Sequence, residues 1–591
     1  MSPCFGPIIG KDSTTFQLWA PFHDRIGLKL DNRHLYDMRR ADDGWFTAVV
    51  EGAGPGTLYQ FILPDGIAVP DPASRHQPND VHGPSEVVDL SAYAWKRQKW
   101  TGRRWEEMVL YELHVGTYTK EGTFNAVIER LDHLKHIGVT ALQIMPIADF
   151  PGGYNWGYDG VLPYAPDSSY GRPQDLMALV DAAHERGICV FLDVVYNHFG
   201  SDGNYIPLYA PLFSQRHKTT WGNGLNYDGA DSGMVRKFIV ENALYWIREY
   251  NVDGLRLDAV HAIIDDSQEH LLVEIARRVR EAVTDRHVHL IVENENNDSA
   301  LLERDHDGHV LHYTAQWNDD LHHVLHVAAT HETFGYYGDY PAGQNGLGRA
   351  LAEGFVFQGE IMPYRGEARG KPTADLPPIA FVSFIQNHDQ IGNRAFGDRM
   401  ITYTDPQALK AITAIYLLLP QIPMLFMGEE WGASTPFPFF CDLDEDLNDI
   451  VREGRRKELS PLPGFEGEDI PDPTALSTFL SGKLDWAALR GDPAVQWLAF
   501  YQSLLMTRRQ WIVPLLDQGI EGVGTTHQEG TTVVVEWKLA REAKLRLMAN
   551  LSPAPGAFVP RSDKAETIFS LGGLANEQLP PWGILWRIEH P

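Results

Sequence analysis

Between residues 108 and 428 the sequence alternates short apolar runs with amphipathic helical stretches, and this alternation limits the possible folds more than any other feature. Runs at 108–115, 141–146, 188–195, 254–258, 288–293, 309–316, 379–386 and 422–428 read as strands. Helical periodicity lies between several of them, at 123–137, 173–186, 234–250 and 269–283. Strands apolar on both faces need cover on both faces, which is the condition of a parallel sheet built from βαβ units. Eight such strands predict a closed (β/α)8 barrel, a TIM barrel, rather than an open sheet. The run at 309–316 fits the strand pattern least well.

The barrel pattern is flanked by β-style sequence. Short runs at 15–19, 27–30, 45–50 and 58–63, separated by Gly, Pro and Asp, predict an N-terminal β-sandwich over 1–100, with Trp19 and Trp45 as core residues. The basic, polar stretch 95–105 marks the boundary to a barrel domain spanning 101–510. Runs at 531–538, 544–550 and 582–588 predict a C-terminal β domain over 511–591. The charge-dense stretch 441–458 reads as solvated loop.

Charge and cysteine usage exclude several classes of partner. The 591 residues carry 50 Lys plus Arg against 79 Asp plus Glu, a formal net charge of −29, which repels a phosphate backbone or an anionic membrane. Cys4, Cys189 and Cys441 are too few and too scattered for a disulfide framework, which fits a reducing, cytoplasmic compartment. The N-terminus lacks a basic region followed by an apolar stretch. No later segment approaches the ~20 apolar residues of a membrane span, so neither standard export nor a membrane location is expected. No glycine-rich nucleotide motif joins a strand to a helix, and His322 and His323 are adjacent rather than four apart as in a metalloprotease helix. Neither cofactor nor metal is expected.

Catalytic groups in such a barrel come from the C-terminal ends of strands and the loops beyond them. Four strand ends are rich in carboxylate and imidazole: FLDVVYNH carries Asp193, Asn197 and His198; DGLRLDAVH carries Arg256, Asp258 and His261; LIVENEN carries Glu293; FIQNHDQ carries His388 and Asp389. Alternation along a strand places Arg256 and Asp258 on one face, where the guanidinium favours the ionised carboxylate. Glu293 emerges from an apolar run, where burial and neighbouring carboxylates favour its protonated form. One ionised and one protonated acid make a glycosidase pair. A lone Arg-Asp pair can equally be a plain ion pair; the agreement of four strand ends is what points to chemistry.

These four segments, DVVYNH, DGLRLDAVH, IVENEN and QNHD, resemble the four signatures of the α-amylase family of glycoside hydrolases, in the family's order. The resemblance implies a retaining mechanism with Asp258 as nucleophile, Glu293 as general acid/base and Asp389 as third carboxylate. The third segment supplies two glutamates; Glu293 directly follows the apolar run LIV, and Glu295 is the second choice. The resemblance also implies sugar contacts from Tyr158, Trp156, His198, Arg256, His388 and His261. Trp317, Asp319, Asp320, His322 and His323 form a second polar-aromatic cluster, in which Asp319 is the candidate substrate contact and bracing of the barrel rim is the alternative. Stretches 145–171 and 315–326 resemble the subgroup that releases trehalose from the end of a maltooligosyl chain. That subgroup's plan, an immunoglobulin-like, glucan-binding-like sandwich, a barrel and a C-terminal β domain, matches the whole length. The implied substrate is maltooligosyltrehalose or a related α-glucan, with water as acceptor. A glycogen-branching or debranching enzyme of the same family is the alternative, and a non-catalytic glucan-binding barrel is the rival from another class.

Overall fold

Eight parallel strands close into a barrel: β1 (Leu110–Leu113), β2 (Ala141–Ile144), β3 (Cys189–Val194), β4 (Gly254–Leu257), β5 (His289–Val292), β6 (Ala315–Trp317), β7 (Phe381–Ser383) and β8 (Ile422–Phe426). The computed structural model describes residues 5–31, 33–340, 346–460, 470–557, 564–573 and 578–590. Closure is made by β8 against β1, with Met424 opposite Leu110. All eight strands are buried along their length, as their largely apolar sequences require. Register carries the first functional consequence, because β3 pairs with β4 so that Asp193 lies opposite Arg256. Gly254 opens β4 where no side chain fits: a Cβ there would lie 2.1 Å from the His289 carbonyl oxygen and 2.4 Å from the Phe191 ring.

Helices α1 (Pro173–Glu185), α2 (Ser232–Glu249), α3 (Leu271–Ala282), α4 (Asp319–Thr330) and α5 (Pro406–Leu418) cover the barrel. Their starts follow capping chemistry. Pro173 occupies the first turn of α1 while the Asp175 carboxylate takes the Arg172 N–H at 2.8 Å, and Asp405 caps α5 ahead of Pro406. The helical stretch expected at 123–137 divides into Phe124–Ile128 and Leu131–Ile137. Between β5 and β6 the described connection carries a short 3-10 turn, Ser299–Leu302, in place of an α-helix.

Two further expectations need correction. The sixth strand spans Ala315–Trp317, not 309–316, because residues 305–309 close a turn on Asp305, whose carboxylate accepts the His309 N–H at 2.8 Å. The stretch read as loop at 441–458 contains a helix, Glu445–Leu459. Asp444 caps it by accepting the Leu447 N–H at 2.9 Å, Glu445 and Asp446 fill its first turn and Arg456 and Lys457 its last. The charge order therefore follows the helix dipole, and the run is dense in charge for that reason. Within the boundary stretch 95–105, Trp100 Nε1 donates to Asp253 at 2.6 Å and Trp105 Nε1 to the Ile379 carbonyl at 2.7 Å, plugging the N-terminal end of the barrel.

Upstream, two antiparallel sheets enclose a core of Phe16, Leu28, Phe46, Tyr59 and Phe61. Phe5 links this region to the barrel, its ring lying 5.3 Å from Trp45 and 5.1 Å from Phe238 of α2. Downstream, strands Ile520–Glu529, Thr532–Leu539, Lys544–Asn550, Ile584–Glu589 and Ala565–Leu571 form an antiparallel sheet in that order. Trp586 of this sheet stacks on Trp537 and donates from Nε1 to the Ala414 carbonyl of α5 at 3.2 Å. Among the described residues no helix is long and apolar enough to cross a membrane.

Candidate active site

One arginine organises the C-terminal mouth of the barrel. Arg256 is 1% exposed, and its Nη1 donates to both Asp193 oxygens, at 2.8 and 2.7 Å, and to Asp258 Oδ1 at 2.8 Å. Its Nη2 donates to Glu293 Oε2 at 2.8 Å. Three strands thus deliver carboxylates to a single guanidinium, while β6 supplies the wall: the Trp317 ring lies 4.1 Å from Arg256 Cζ. Replacing Arg256 by Met is expected to destabilise the fold by ~3–5 kcal/mol, because buried carboxylates lose their shared counter-charge. Urea denaturation checks this, and an unchanged midpoint contradicts it.

The surroundings push the two acids in opposite directions. Burial alone would raise the Asp258 carboxyl, but the Arg256 guanidinium and the Asn197 amide, which donates to Asp258 Oδ2 at 2.9 Å, hold it below its ordinary value. Burial raises Glu293 well above the usual carboxylate range; Arg256 opposes this, and Asp258, Asp319 and Asp389 reinforce it. Glu293 Oε2 also accepts the Ala259 N–H at 2.8 Å. Ala259 reaches this position with φ of 40°, a left-handed backbone that a non-glycine residue adopts at a cost of about 1–3 kcal/mol. Asp389, on the short helix His388–Gly392, is also raised by burial, and Asn393 donates to its Oδ1 at 2.7 Å. An anionic carboxylate beside a protonated one suits nucleophilic attack paired with proton donation.

The remaining candidates fall into three groups. Tyr158 and His388 stack at 5.1 Å with 25° between their planes, the tyrosine hydroxyl donating to Asp193 at 2.8 Å. His388 is held on its Nδ1 side by Glu112, at 2.7 Å. Asp319 lies in the same electrostatic field: burial, with Asp389 and Asp320, pushes its carboxyl up to about 7 against the opposing charge of Arg369. A second group is already engaged within the protein. His198 contacts Asn197 Oδ1 through Nδ1 and the Tyr158 carbonyl through Nε2 at 3.0 Å, with its face stacked on Trp221. Trp156 is buried, stacked on Phe437, and donates from Nε1 to the Pro438 carbonyl at 3.1 Å, so what it offers the cleft is a brace against the edge of His388. His261 sits apart with Glu295, whose N–H reaches its Nδ1 at 3.3 Å. Glu295 itself pairs with Arg365 and is 46% exposed, so of the two glutamates only Glu293 meets Arg256.

The loop bearing Trp156 and Tyr158 turns at Gly157, with φ of 104°, where a Cβ would lie 2.0 Å from the Pro146 carbonyl oxygen. Asp320, His322 and His323 are buried in α4 behind the rim. Asp320 takes the Val356 N–H at 2.7 Å and Asn297 at 3.0 Å, and His322 bonds the Ile385 carbonyl at 2.9 Å, which is bracing. Sequence reasoning passed over Glu112. A lone glutamate inside the apolar run of β1 was the available signal, since a charge buried there requires a partner.

Residues 92–208 match the family described as alpha amylase, catalytic domain, and residues 521–586 match a domain of unknown function, DUF3459. The chain is 44% identical over 510 residues to malto-oligosyltrehalose trehalohydrolase of Saccharolobus solfataricus, covering 86% of this chain and 87% of that protein. The namesake protein of Deinococcus radiodurans is 43% identical over 507 residues, covering 85% and 82%. A crystal structure of a putative alpha amylase from Salmonella typhimurium superposes with a TM-score of 0.95 at 46% identity, covering 100% of both chains.

Proposed function

The chain belongs to the malto-oligosyltrehalose trehalohydrolase family, within the α-amylase family, and we propose that it works by double displacement on the residues gathered around Arg256. Its activity is hydrolysis of the α-1,4-glucosidic bond between a maltooligosyl chain and terminal trehalose. Glu293 gives its proton to the bridging oxygen while Asp258 attacks the anomeric carbon, so that trehalose leaves and the maltooligosyl chain becomes an ester of Asp258. Glu293, now anionic, takes a proton from water, whose oxygen attacks the same carbon and frees Asp258.

The observation that carries this reading is the single guanidinium shared by Asp258 and Glu293, each at 2.8 Å, with the first carboxyl held below its ordinary value and the second raised well above it. Two carboxyls on adjacent nitrogens of one planar group favour the retaining separation of about 5–5.5 Å over the wider inverting one. Asp389 and His388 bind hydroxyls of the sugar whose carbon is attacked, and Tyr158 offers its ring to that sugar's apolar face. Asp319, its carboxyl pushed up to about 7, bonds a hydroxyl on the leaving-group side, where Glu295 shares its electrostatic field. Arg256 and His198 orient Asp258, directly and through Asn197. A cytoplasmic location is supported by the free, buried thiols of Cys189 and Cys441.

Incubation with maltooligosyltrehalose and, separately, with linear amylose tests the assignment. Free trehalose from the first substrate and no new α-1,6 branches in the second is the expected result. Branches without trehalose would make the protein a transferase, in which a glucan hydroxyl rather than water meets the ester.

A further inference from the structure

Glu112 is a buried acid beside the site that the double displacement does not use. Its side chain is 1% exposed, and both oxygens are committed to one residue: Oε1 meets His388 Nδ1 at 2.7 Å and Oε2 accepts the His388 N–H at 3.1 Å. The carboxylate therefore fixes backbone and ring together. Its own backbone is pinned on both sides, opposite Gln143 in β2 and Phe426 in β8, with its carbonyl taking the Met427 N–H at 2.9 Å. Tyr158 covers one face of the imidazole, and Trp156 and Trp317 approach at 5.3 and 6.0 Å. Nε2 is the ring nitrogen without a hydrogen-bond partner among the described residues.

We propose that Glu112 is a positioning residue that keeps His388 an imidazolium with its Nε2–H directed at the sugar held before Asp258. The proposal rests on the assignment of this mouth as the glycosidase site. A neutral imidazole donating from Nδ1 to Glu112 presents only a lone pair at Nε2, whereas the imidazolium donates a charge-assisted bond there. Pairing with Glu112 also leaves the dyad without net charge, so the cation does not oppose positive charge developing on the sugar ring. The groups around His388 fall on both sides of this balance. Glu112 on β1, Asp389 on its own helix and Asp193 on β3 favour the charged ring; burial, Arg256 on β4 and His114 beyond β1 oppose it. The net direction is upward from the ordinary histidine value, with Glu112 as the largest favourable influence.

The test compares Glu112→Gln with the wild-type chain, full length, on one glucan across the pH range. The kcat/KM of the variant relative to wild type is expected to be lowest near pH 8 and to recover by roughly tenfold or more toward acid pH, where protons restore the imidazolium against the burial and the Arg256 charge that Glu112 offsets. A uniform loss at every pH, or a profile superimposable on the wild type, would overturn the proposal. Histidine-labelled protein gives a readout independent of turnover, with His388→Gln assigning the signal: the His388 pKa is expected to fall by about one unit or more in Glu112→Gln. An unchanged titration overturns the proposal even if activity falls. Should Glu112→Gln fail to fold by thermal melting, Glu112→Asp keeps the charge and is expected to leave the His388 titration raised; a titration returned to the ordinary value overturns the proposal. A wild-type chain that releases no trehalose refutes the substrate assignment alone, because the His388 titration needs no substrate.

Discussion

Asp258→Asn is expected to lower kcat for trehalose release by about 10⁴-fold or more while maltooligosyltrehalose still binds within about tenfold of wild-type affinity. The substitution preserves shape. The side-chain carbonyl oxygen can still accept from Arg256 Nη1, the partner that Asp258 Oδ1 has at 2.8 Å. What it cannot do is form the ester, since an amide oxygen is a poor nucleophile; Asp193 spends both oxygens on Arg256, and the proposed mechanism uses Glu293 as the proton donor. The opposite oxygen of Asp258 accepts from Asn197 at 2.9 Å, so the variant sets two amide groups against one another. Asn197 can keep its second bond, to the Asp258 carbonyl at 2.8 Å, and the expected stability loss is therefore modest, about 1–2 kcal/mol. Single-turnover kinetics with calorimetric binding separates the two effects. Turnover within tenfold of wild type would remove Asp258 from the nucleophile's role.

How much of this was legible in the sequence depends on whether a residue's neighbours are local or distant. Arg256 and Asp258 are two apart at the end of one strand, so alternation alone predicted their contact. The agreement of several strand ends also followed from the sequence, because a barrel collects its strand ends at one mouth and places Glu293 and Asp389 beside Asp258 whatever the intervening loops do. Glu112 was half legible: a lone charge in the apolar run of β1 requires a partner, but the partner could not be named. Its partner lies 276 residues away, and nothing local announces that a glutamate in LYEL meets a histidine in QNHD. Trp317 shows the intermediate case: its cluster was conspicuous, but the ring's place against Arg256 depends on β6 being three residues long. The helix at Glu445–Leu459 was misread because its apolar stripe is thin, and capping and charge order, rather than hydrophobic periodicity, define it.

The second large effect concerns proton delivery. Glu293→Gln is expected to lower kcat/KM on maltooligosyltrehalose by about 10³–10⁴-fold, since the trehalose hydroxyl is a poor leaving group unless protonated as it departs. An α-maltosyl fluoride needs no such proton. Its carbon–fluorine bond breaks to give fluoride directly, so the variant is expected to form the Asp258 ester from this substrate at a rate within about a hundredfold of wild type. The second step then stalls, because the base that activates water is missing. Added azide, which attacks without losing a proton, should restore turnover and yield a glycosyl azide of retained configuration. The pH dependence has a fixed sign. Burial, with Asp258, Asp319 and Asp389, raises Glu293 and so favours its protonated form, which means that wild-type activity falls as pH rises through the pKa of the coupled site. Glu293→Gln removes that contribution. Any alkaline decline that survives on the fluoride belongs to His388, and adding Glu112→Gln should move it toward acid, whereas an alkaline limb identical in wild type and Glu293→Gln would show that Glu293 is not the proton donor.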